Sequence, residues 1–266
     1  MESSTPPESA QDMTGLDECT QDYVRSLWIA EDYDNYFISS QLFRFDIQFL
    51  EQLFPQPIKM VDLGCGTGRI LLPFVRRGYE VTGVDLSDAM LQITQLKLDQ
   101  EGLSAELVKS NICRIPQLQE ASFDAAVCMF STVGMVRGSR NRLSIVREAQ
   151  RVLRPGGTFV FHAHNFYYGG WKPEVWRTWF HSLMLTLFHG YEFGDKVLPV
   201  YRNIPKMYIH IFRPGEIHDL LHRAGFRLQH LIYLKHHRKN ELDTVLFRTL
   251  RANGFIAVAE KVSVEV

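Results

Sequence analysis

From position 59 to 162 the chain alternates between short apolar runs and longer segments whose apolar residues recur at helical spacing. The runs Lys59–Leu63, Tyr79–Val84, Ala105–Lys109, Phe123–Phe130 and Thr158–His162 predict strands. Between them the pattern predicts helices over about Gly68–Arg77, Ser87–Gln100 and Ser139–Leu153. Gly78 closes the first of these, and Ser87 with Asp88 opens the second. Strands and helices alternating at this spacing predict a parallel sheet covered on both faces by right-handed crossovers. Such α/β sheets bind ligands outside the carboxyl ends of their strands.

The flanks break this rhythm. Residues 1–20 are rich in Ser, Thr, Pro, Glu and Asp and predict a disordered tail, leaving 21–266 as a single domain. Asp22 to Phe54 is helical in pattern with interleaved aromatics, and Pro55 and Pro57 end it, so 21–57 predicts a helical cap. After His162, residues 165–205 hold Gly169, Gly170, Trp171, Trp176, Trp179 and Phe180. They predict an aromatic-rich insertion, a lid containing a helix. The tryptophan spacing also fits an amphipathic helix buried on the core. Alternation resumes with Met207–Phe212, a helix over about Pro214–Ala224 and a strand from Phe226 to about Lys235. A last strand, Phe255–Lys261, is placed to form a hairpin with it.

Composition narrows the class. A formal net charge of −1 is unlike the strongly basic balance of a general nucleic-acid binder. The basic stretch Lys235–Lys239 is short and fits a solvated strand end. The four cysteines, Cys19, Cys65, Cys113 and Cys128, form no C-x-x-C pair and no zinc-ligand spacing, so no metal site is expected. They suit a reducing cytoplasm. No apolar run approaches the roughly 18 residues of a membrane span, and no signal peptide is expected.

The chemistry concentrates at Gly64-Cys65-Gly66-Thr67-Gly68, which follows a strand and precedes a helix. Glycines there permit positive φ and let a ligand touch the backbone. A dinucleotide fingerprint starting at Gly64 would need a small residue where Arg69 stands, so the G-x-G-x-G spacing argues against NAD. No Lys-Ser/Thr follows, which argues against a nucleoside triphosphate. Asp85 ends the second strand, where a carboxylate can accept bonds from both hydroxyls of a ribose; the lesser alternative is that it caps the following helix. Asp62, two residues before the loop, can brace the loop amides or reach a ligand amino group.

Four segments carry a resemblance. Val61-Asp62-Leu63-Gly64-Cys65-Gly66-Thr67-Gly68 resembles motif I of class I S-adenosylmethionine (SAM)-dependent methyltransferases, and Gly83-Val84-Asp85-Leu86-Ser87 their second motif. Phe123-Asp124-Ala125-Ala126-Val127-Cys128 is similar to their fourth-strand motif, and Leu153-Arg154-Pro155-Gly156-Gly157-Thr158 to the turn before their fifth strand. The style is nearest to the ubiquinone and menaquinone biosynthetic group. The resemblance implies an α/β, Rossmann-like, doubly wound sheet of seven strands with the last antiparallel. It implies SAM held by Asp62, Gly64, Cys65, Gly66 and Gly68, with Asp85 on the ribose, Leu86 and Ile112 around the adenine, and Asn111 accepting from the adenine amino group. Phe130 would sit near the sulfonium. Tyr33, Tyr36 or Arg69 would meet the methionine carboxylate.

Catalytic groups are harder to read, because SAM already carries an activated methyl group and a base is needed only for a protonated nucleophile. No Asp/Asn-Pro-Pro-Tyr/Phe follows the fourth strand, which argues against DNA amino-methylating enzymes. His162, His164, Asn165, Tyr167 and Tyr168 should lie at the carboxyl edge of the sheet. His164 is the candidate general base, and Tyr167 is a second catalytic candidate. On Met207–His210 one alternating pair is expected to face the pocket. The leading function is methyl transfer to a small-molecule acceptor, apolar or lipid-like. A tRNA wobble-uridine methyltransferase and a non-catalytic SAM-binding module are the alternatives.

Overall fold

The structure, a computed structural model, describes residues 13–26, 29–30, 42–198, 206–235, 241–242 and 246–262. Tyr33, Tyr36 and the basic residues 236–239 lie outside them. Helix α1 (Glu18–Arg25) and α2 (Leu42–Leu53) precede the sheet. Then come β1 (Lys59–Leu63), α3 (Leu71–Val75), β2 (Glu80–Asp85), α4 (Asp88–Gln100), β3 (Glu106–Lys109) and β4 (Phe123–Cys128). A 3-10 helix (Thr132–Met135), α5 (Ser139–Val152) and β5 (Leu153–His164) complete the first half. The second half holds α6 (Pro173–Phe188), β6 (Asp195–Leu198), β7 (Met207–His210), α7 (Pro214–Arg223), β8 (Phe226–Leu234), α8 (Arg248–Arg251) and β9 (Gly254–Lys261).

The seven-stranded sheet runs β3-β2-β1-β4-β5-β9-β8. Strands β1 to β5 pair in parallel, and β9 is antiparallel to both of its neighbours. This is the Rossmann-like methyltransferase arrangement expected from the sequence. The last strand lies inside the sheet, not at its edge. The central strands are buried on both faces: Val61, Leu63, Ala126, Phe159 and Phe161 pack with α5 and α7, and Met60, Ala125, Val127 and Val160 with α2 and α3.

Several boundaries shift for local reasons. Helix α3 is shorter than its pattern, because the positive-φ glycines at 64, 66 and 68 hold the chain in a turn until Ile70. Strand β5 starts at Leu153, before the Pro155-Gly156-Gly157 turn. That turn is a bulge within the strand, since Phe123 pairs with Leu153 while Ala125 pairs with Thr158. Met207–His210 does not join the main sheet. It pairs with β6 as a two-stranded ribbon over the sheet's carboxyl edge.

The two ends of the domain also depart from the sequence reading. Helix α1 starts at Glu18, inside the stretch expected to be a tail, and Leu16 packs on the core. Helix α6 is not buried as an amphipathic core helix. Trp179 stacks on Phe166, but Trp176 (63 % exposed), Phe180, Leu187 and Phe188 face outward. No described helix is long and apolar enough to cross a membrane.

Candidate functional site

The loop after β1 is held from below and behind. The amides of Gly64 and Cys65 both donate to the Val84 carbonyl of β2. From α4, the Thr94 hydroxyl donates to Gly66 O at 2.8 Å and Lys97 Nζ to Thr67 O at 2.8 Å. Asp85 Oδ2 accepts from the Gly66 amide at 2.8 Å and Oδ1 from the Ser87 amide at 2.9 Å. Ser87, not Asp85, caps α4. Two bonds leave lone pairs on the Asp85 carboxylate for a ligand. Burial raises its pKa, and the amide bonds offset part of that rise.

Gly64 and Gly66 line a cavity of about 330 Å³ with Asp85, Leu86, Asn111 and Ile112. Gly66 has φ +55°, and a Cβ there would meet nothing within 4 Å, so the space above it is open to a ligand. The other motif I residues support the loop from beneath. Gly68 packs on Thr94, whose Cγ2 would lie 2.8 Å from an added Cβ. The thiol of Cys65 is buried and lies against Gly83 of β2. Asp62 is 2 % exposed, and its Oδ2 has no hydrogen-bond partner among the described residues. Burial pushes its pKa up to about 7 against the opposing pull of Arg69, with Asp85 adding to the rise.

Asn111 is committed more fully than the sequence suggested. Its Oδ1 accepts from Cys113 N at 2.9 Å, and its Nδ2 donates to Thr14 O at 3.0 Å. The segment before α1 is thereby tied across this end of the cavity. Phe130 lines the wall with φ +63°, next to Ser131 at φ +66°. Two consecutive non-glycine residues in the left-handed region are costly, which marks a turn imposed by its surroundings. The Arg69 guanidinium lies 4.2 Å over the Phe130 ring.

The far end of the cavity is apolar. Leu16, Val24, Met135, Val136, Leu198, Met207 and Ile209 form its wall. Of the alternating pairs on β7, Met207 and Ile209 face the cavity, while Tyr208 points to buried Asp195 and His210 lines a second groove. His164 lines the cavity and packs edge-on against buried His162, with ring centroids 5.1 Å apart. Apart from Asp85 it is the one ionisable side chain among the described lining residues. Tyr167, the second catalytic candidate, does not line this cavity. Asn165 Oδ1 accepts the Tyr167 amide at 3.0 Å and turns the chain, so Tyr167 lines the second groove with His210. Thr20 on α1 was not foreseen. Its Oγ1 is buried in the cavity wall and has no hydrogen-bond partner among the described residues.

Comparison with known proteins agrees with this geometry. A family model described as a methyltransferase domain matches residues 61–161. A putative methyltransferase YqeM of Bacillus subtilis is 28 % identical over 118 residues, 44 % of this chain, and the match spans about half (47 %) of that protein. A ubiquinone biosynthesis O-methyltransferase of Saccharophagus degradans is 24 % identical over 191 residues, covering 70 % of this chain and 72 % of the relative. A SAM-dependent methyltransferase of Methanosarcina mazei has a similar fold, with a TM-score of 0.65 at 23 % identity, covering 80 % of this chain and 97 % of that one. So does a Burkholderia thailandensis 1,6-didemethyltoxoflavin-N1-methyltransferase solved with its substrate and S-adenosylhomocysteine, at a TM-score of 0.62 and 17 % identity over 99 % of this chain and 93 % of that one.

Residues 61–161 match a methyltransferase domain, and the chain as a whole has the fold of class I SAM-dependent methyltransferases. SAM is its cofactor, and the open space over Gly66, the spare lone pairs of Asp85 and the unpartnered Asp62 Oδ2 fit that molecule.

Proposed function

We propose that the protein transfers the methyl group of SAM to a small, largely apolar acceptor carrying one ionisable hydroxyl or amine. The observation that carries this reading is the composition of the cavity's far end, where apolar side chains surround His164. Binding sites of this kind use a few polar groups to orient an otherwise apolar ligand. The methyltransferases named for ubiquinone biosynthesis and for 1,6-didemethyltoxoflavin support a small-molecule acceptor. A tRNA base would need an open basic approach, and the net charge of −1 does not supply one.

In this reading Asp85 holds the ribose hydroxyls, Gly64 and Gly66 let the methionine portion lie on the loop, and Leu86 and Ile112 flank the adenine. Asn111 can accept a bond from the adenine amino group only through the second lone pair of Oδ1. Asp62, beneath the loop, would neutralise the ligand's amino group. When bound, SAM supplies a sulfonium-activated methyl group, so the protein's work is to align the acceptor and exclude water. His164 Nδ1 or Nε2 takes the proton that the acceptor heteroatom loses as it becomes methylated. Thr20 offers a hydroxyl to orient the acceptor's polar atom.

The test is a transfer screen with methyl-labelled SAM against fractionated metabolites and bulk tRNA. Label in an organic-extractable small molecule, reduced at least a hundredfold by His164→Ala as expected for loss of a general base, supports the reading. Label confined to tRNA overturns it.

A further inference from the structure

Strand β7 is buried along both faces. One face, Met207 and Ile209, belongs to the acceptor end of the cavity. The other is pinned in an ion network that the site's chemistry does not use. His210 Nδ1 lies 2.6 Å from Asp195 Oδ1 of β6, and its Nε2 lies 2.7 Å from Glu216 Oε1 of α7. Tyr208 donates to the same Asp195 oxygen at 2.7 Å. Arg142 of α5, 1 % exposed, pairs with Glu192, approaches Glu216 at 3.9 Å, and donates to the Tyr208 hydroxyl and to Val136 O. Arg213 stands 3.7 Å from Glu216. Both His210 nitrogens are engaged by carboxylates, so Glu192, Asp195 and His210 form a closed network, not an open ligand set.

We propose that His210 is a positioning residue: clamped between Asp195 and Glu216, it fixes β7 against β6 and α7 and so sets the shape of the acceptor end of the cavity. Three further observations place the clamp on that wall. A Cβ at Gly134 in the 3-10 helix would lie 2.6 Å from His210 O, so Met135 and Val136 are packed directly on this strand. Arg142 bonds the carbonyl of Val136, whose side chain lines the cavity. Asp195 and Leu198 belong to the same short strand, with Leu198 in the cavity wall. The ribbon thus has one charged face held by α5 and α7 and one apolar face offered to the acceptor.

The charge balance favours imidazolium. The cations facing His210 are Arg142 and, through Glu216, Arg213; the anions are Glu192, Asp195 and Glu216, and the Tyr208 hydroxyl is held neutral by burial. The network is neutral only when His210 is protonated. Asp219 and Arg223 also line the groove and cancel each other. Burial alone would lower the His210 pKa, but the bonds to Asp195 and Glu216 outweigh it and leave it raised. Asp195 is buried and Glu216 half-buried, yet their bonds to His210 hold both below their ordinary values. The clamp is therefore complete below the raised histidine value and is lost as pH rises through it.

The meaning for catalysis rests on the small-molecule reading; the clamp itself does not. The experiment uses the full chain and two readouts from pH 6 to 9, in wild type, His210→Gln and Asp195→Asn. The first is amide exchange over residues 207–210 and 135–136, corrected for intrinsic rates. The second is calorimetric binding of 4-octylphenol as an apolar hydroxyl probe, with S-adenosylhomocysteine present. Wild type should lose protection and octylphenol affinity about tenfold on the alkaline side, the scale of one charge-assisted bond. Each variant should start at the weakened level and show no step, with S-adenosylhomocysteine affinity within about twofold, since the cofactor end is untouched. Wild-type protection with an unchanged step in His210→Gln overturns the proposal. If that variant does not fold, an absent step in wild type does the same. The expected exchange pattern with no octylphenol binding at any pH would sink the small-molecule reading and leave the clamp standing.

Discussion

Asp85 Oδ2 accepts the Gly66 amide at 2.8 Å, so the acidic end of β2 is bonded to the glycine turn of β1 before any ligand arrives. The two cofactor motifs are one unit: the carboxylate that would hold the ribose also sets the conformation of the loop. Asp85→Ala removes both, and Asp85→Asn directs an amide at a backbone N–H. Each should weaken SAM by at least a hundredfold, about 2.7 kcal/mol. Titration calorimetry checks this, and unchanged affinity in either variant would refute the ribose assignment.

Gly66 and Gly78 separate ligand contact from backbone strain. Both have positive φ, and a Cβ at either meets nothing within 4 Å. Alanine at each should cost roughly 1 kcal/mol of stability for the left-handed backbone. Only Gly66→Ala should also lose SAM binding, because its methyl group enters the cavity. Denaturant melts paired with calorimetry distinguish the two effects; equal binding by both variants would mean that the ligand does not approach Gly66.

Asp62 should make the ligand-free protein weaker as pH rises. Its native pKa of about 7 lies above the ordinary 3.8, so the native state keeps a proton that the unfolded chain releases between those values. Stability attributable to this group is highest below pH 4, falls through the interval, and is flat above 7. The span is on the order of 4 kcal/mol, at about 1.4 kcal/mol per unit. Asp62→Asn should remove this slope in urea melts at pH 5 and pH 8, and should weaken SAM if Asp62 meets the amino group. A slope identical to wild type would rule out a buried, proton-holding Asp62.

Thr20→Val keeps the shape of a side chain whose hydroxyl is buried and unpartnered. In the ligand-free protein it should be neutral or stabilising by about 1 kcal/mol, because an unsatisfied polar group is removed. Ligand affinity at the cavity should fall. A large destabilisation without ligand would show that the hydroxyl has a structural partner.

Arg142→Ala should be the most damaging of these changes, about 3 kcal/mol, since it empties a fully buried side-chain site and removes the bonds to Val136 O and the Tyr208 hydroxyl together with the partner of Glu192. Thermal melts at matched pH measure it.

The sheet and cofactor end were legible because they rest on local chemistry. Gly64, Gly66 and Asp85 act through their own backbone or a side chain at a strand end, and strand alternation places those ends together. The acceptor end was legible only in part. The period-two pattern at 207–210 showed that one pair would face the pocket, but choosing Met207 and Ile209 over Tyr208 and His210 required Asp195, Glu216 and Arg142, which come from three other elements. Arg142 sits on an otherwise ordinary amphipathic helix, and nothing local marks it as buried. Tyr167 lines the second groove and not the cavity of His164, a separation set by a turn that one Asn165 hydrogen bond holds. Thr20 was missed because polar composition made its surroundings resemble a tail, whereas Asn111 ties that segment to the core through Thr14.

Strand β9 lies between β5 and β8 and pairs with both, from Phe226↔Lys261 at one end to His164↔Gly254 at the other. During synthesis, therefore, five parallel strands and the whole cofactor loop are made while the outer side of β5 still lacks its partner. Until residues 254–261 emerge, that edge and the nascent β8 are both open to wrong pairings. The chain closes its sheet with a strand made after both of that strand's neighbours, so a ribosome stalled before Gly254 would carry a cofactor loop complete in sequence on a sheet that cannot yet hold β8.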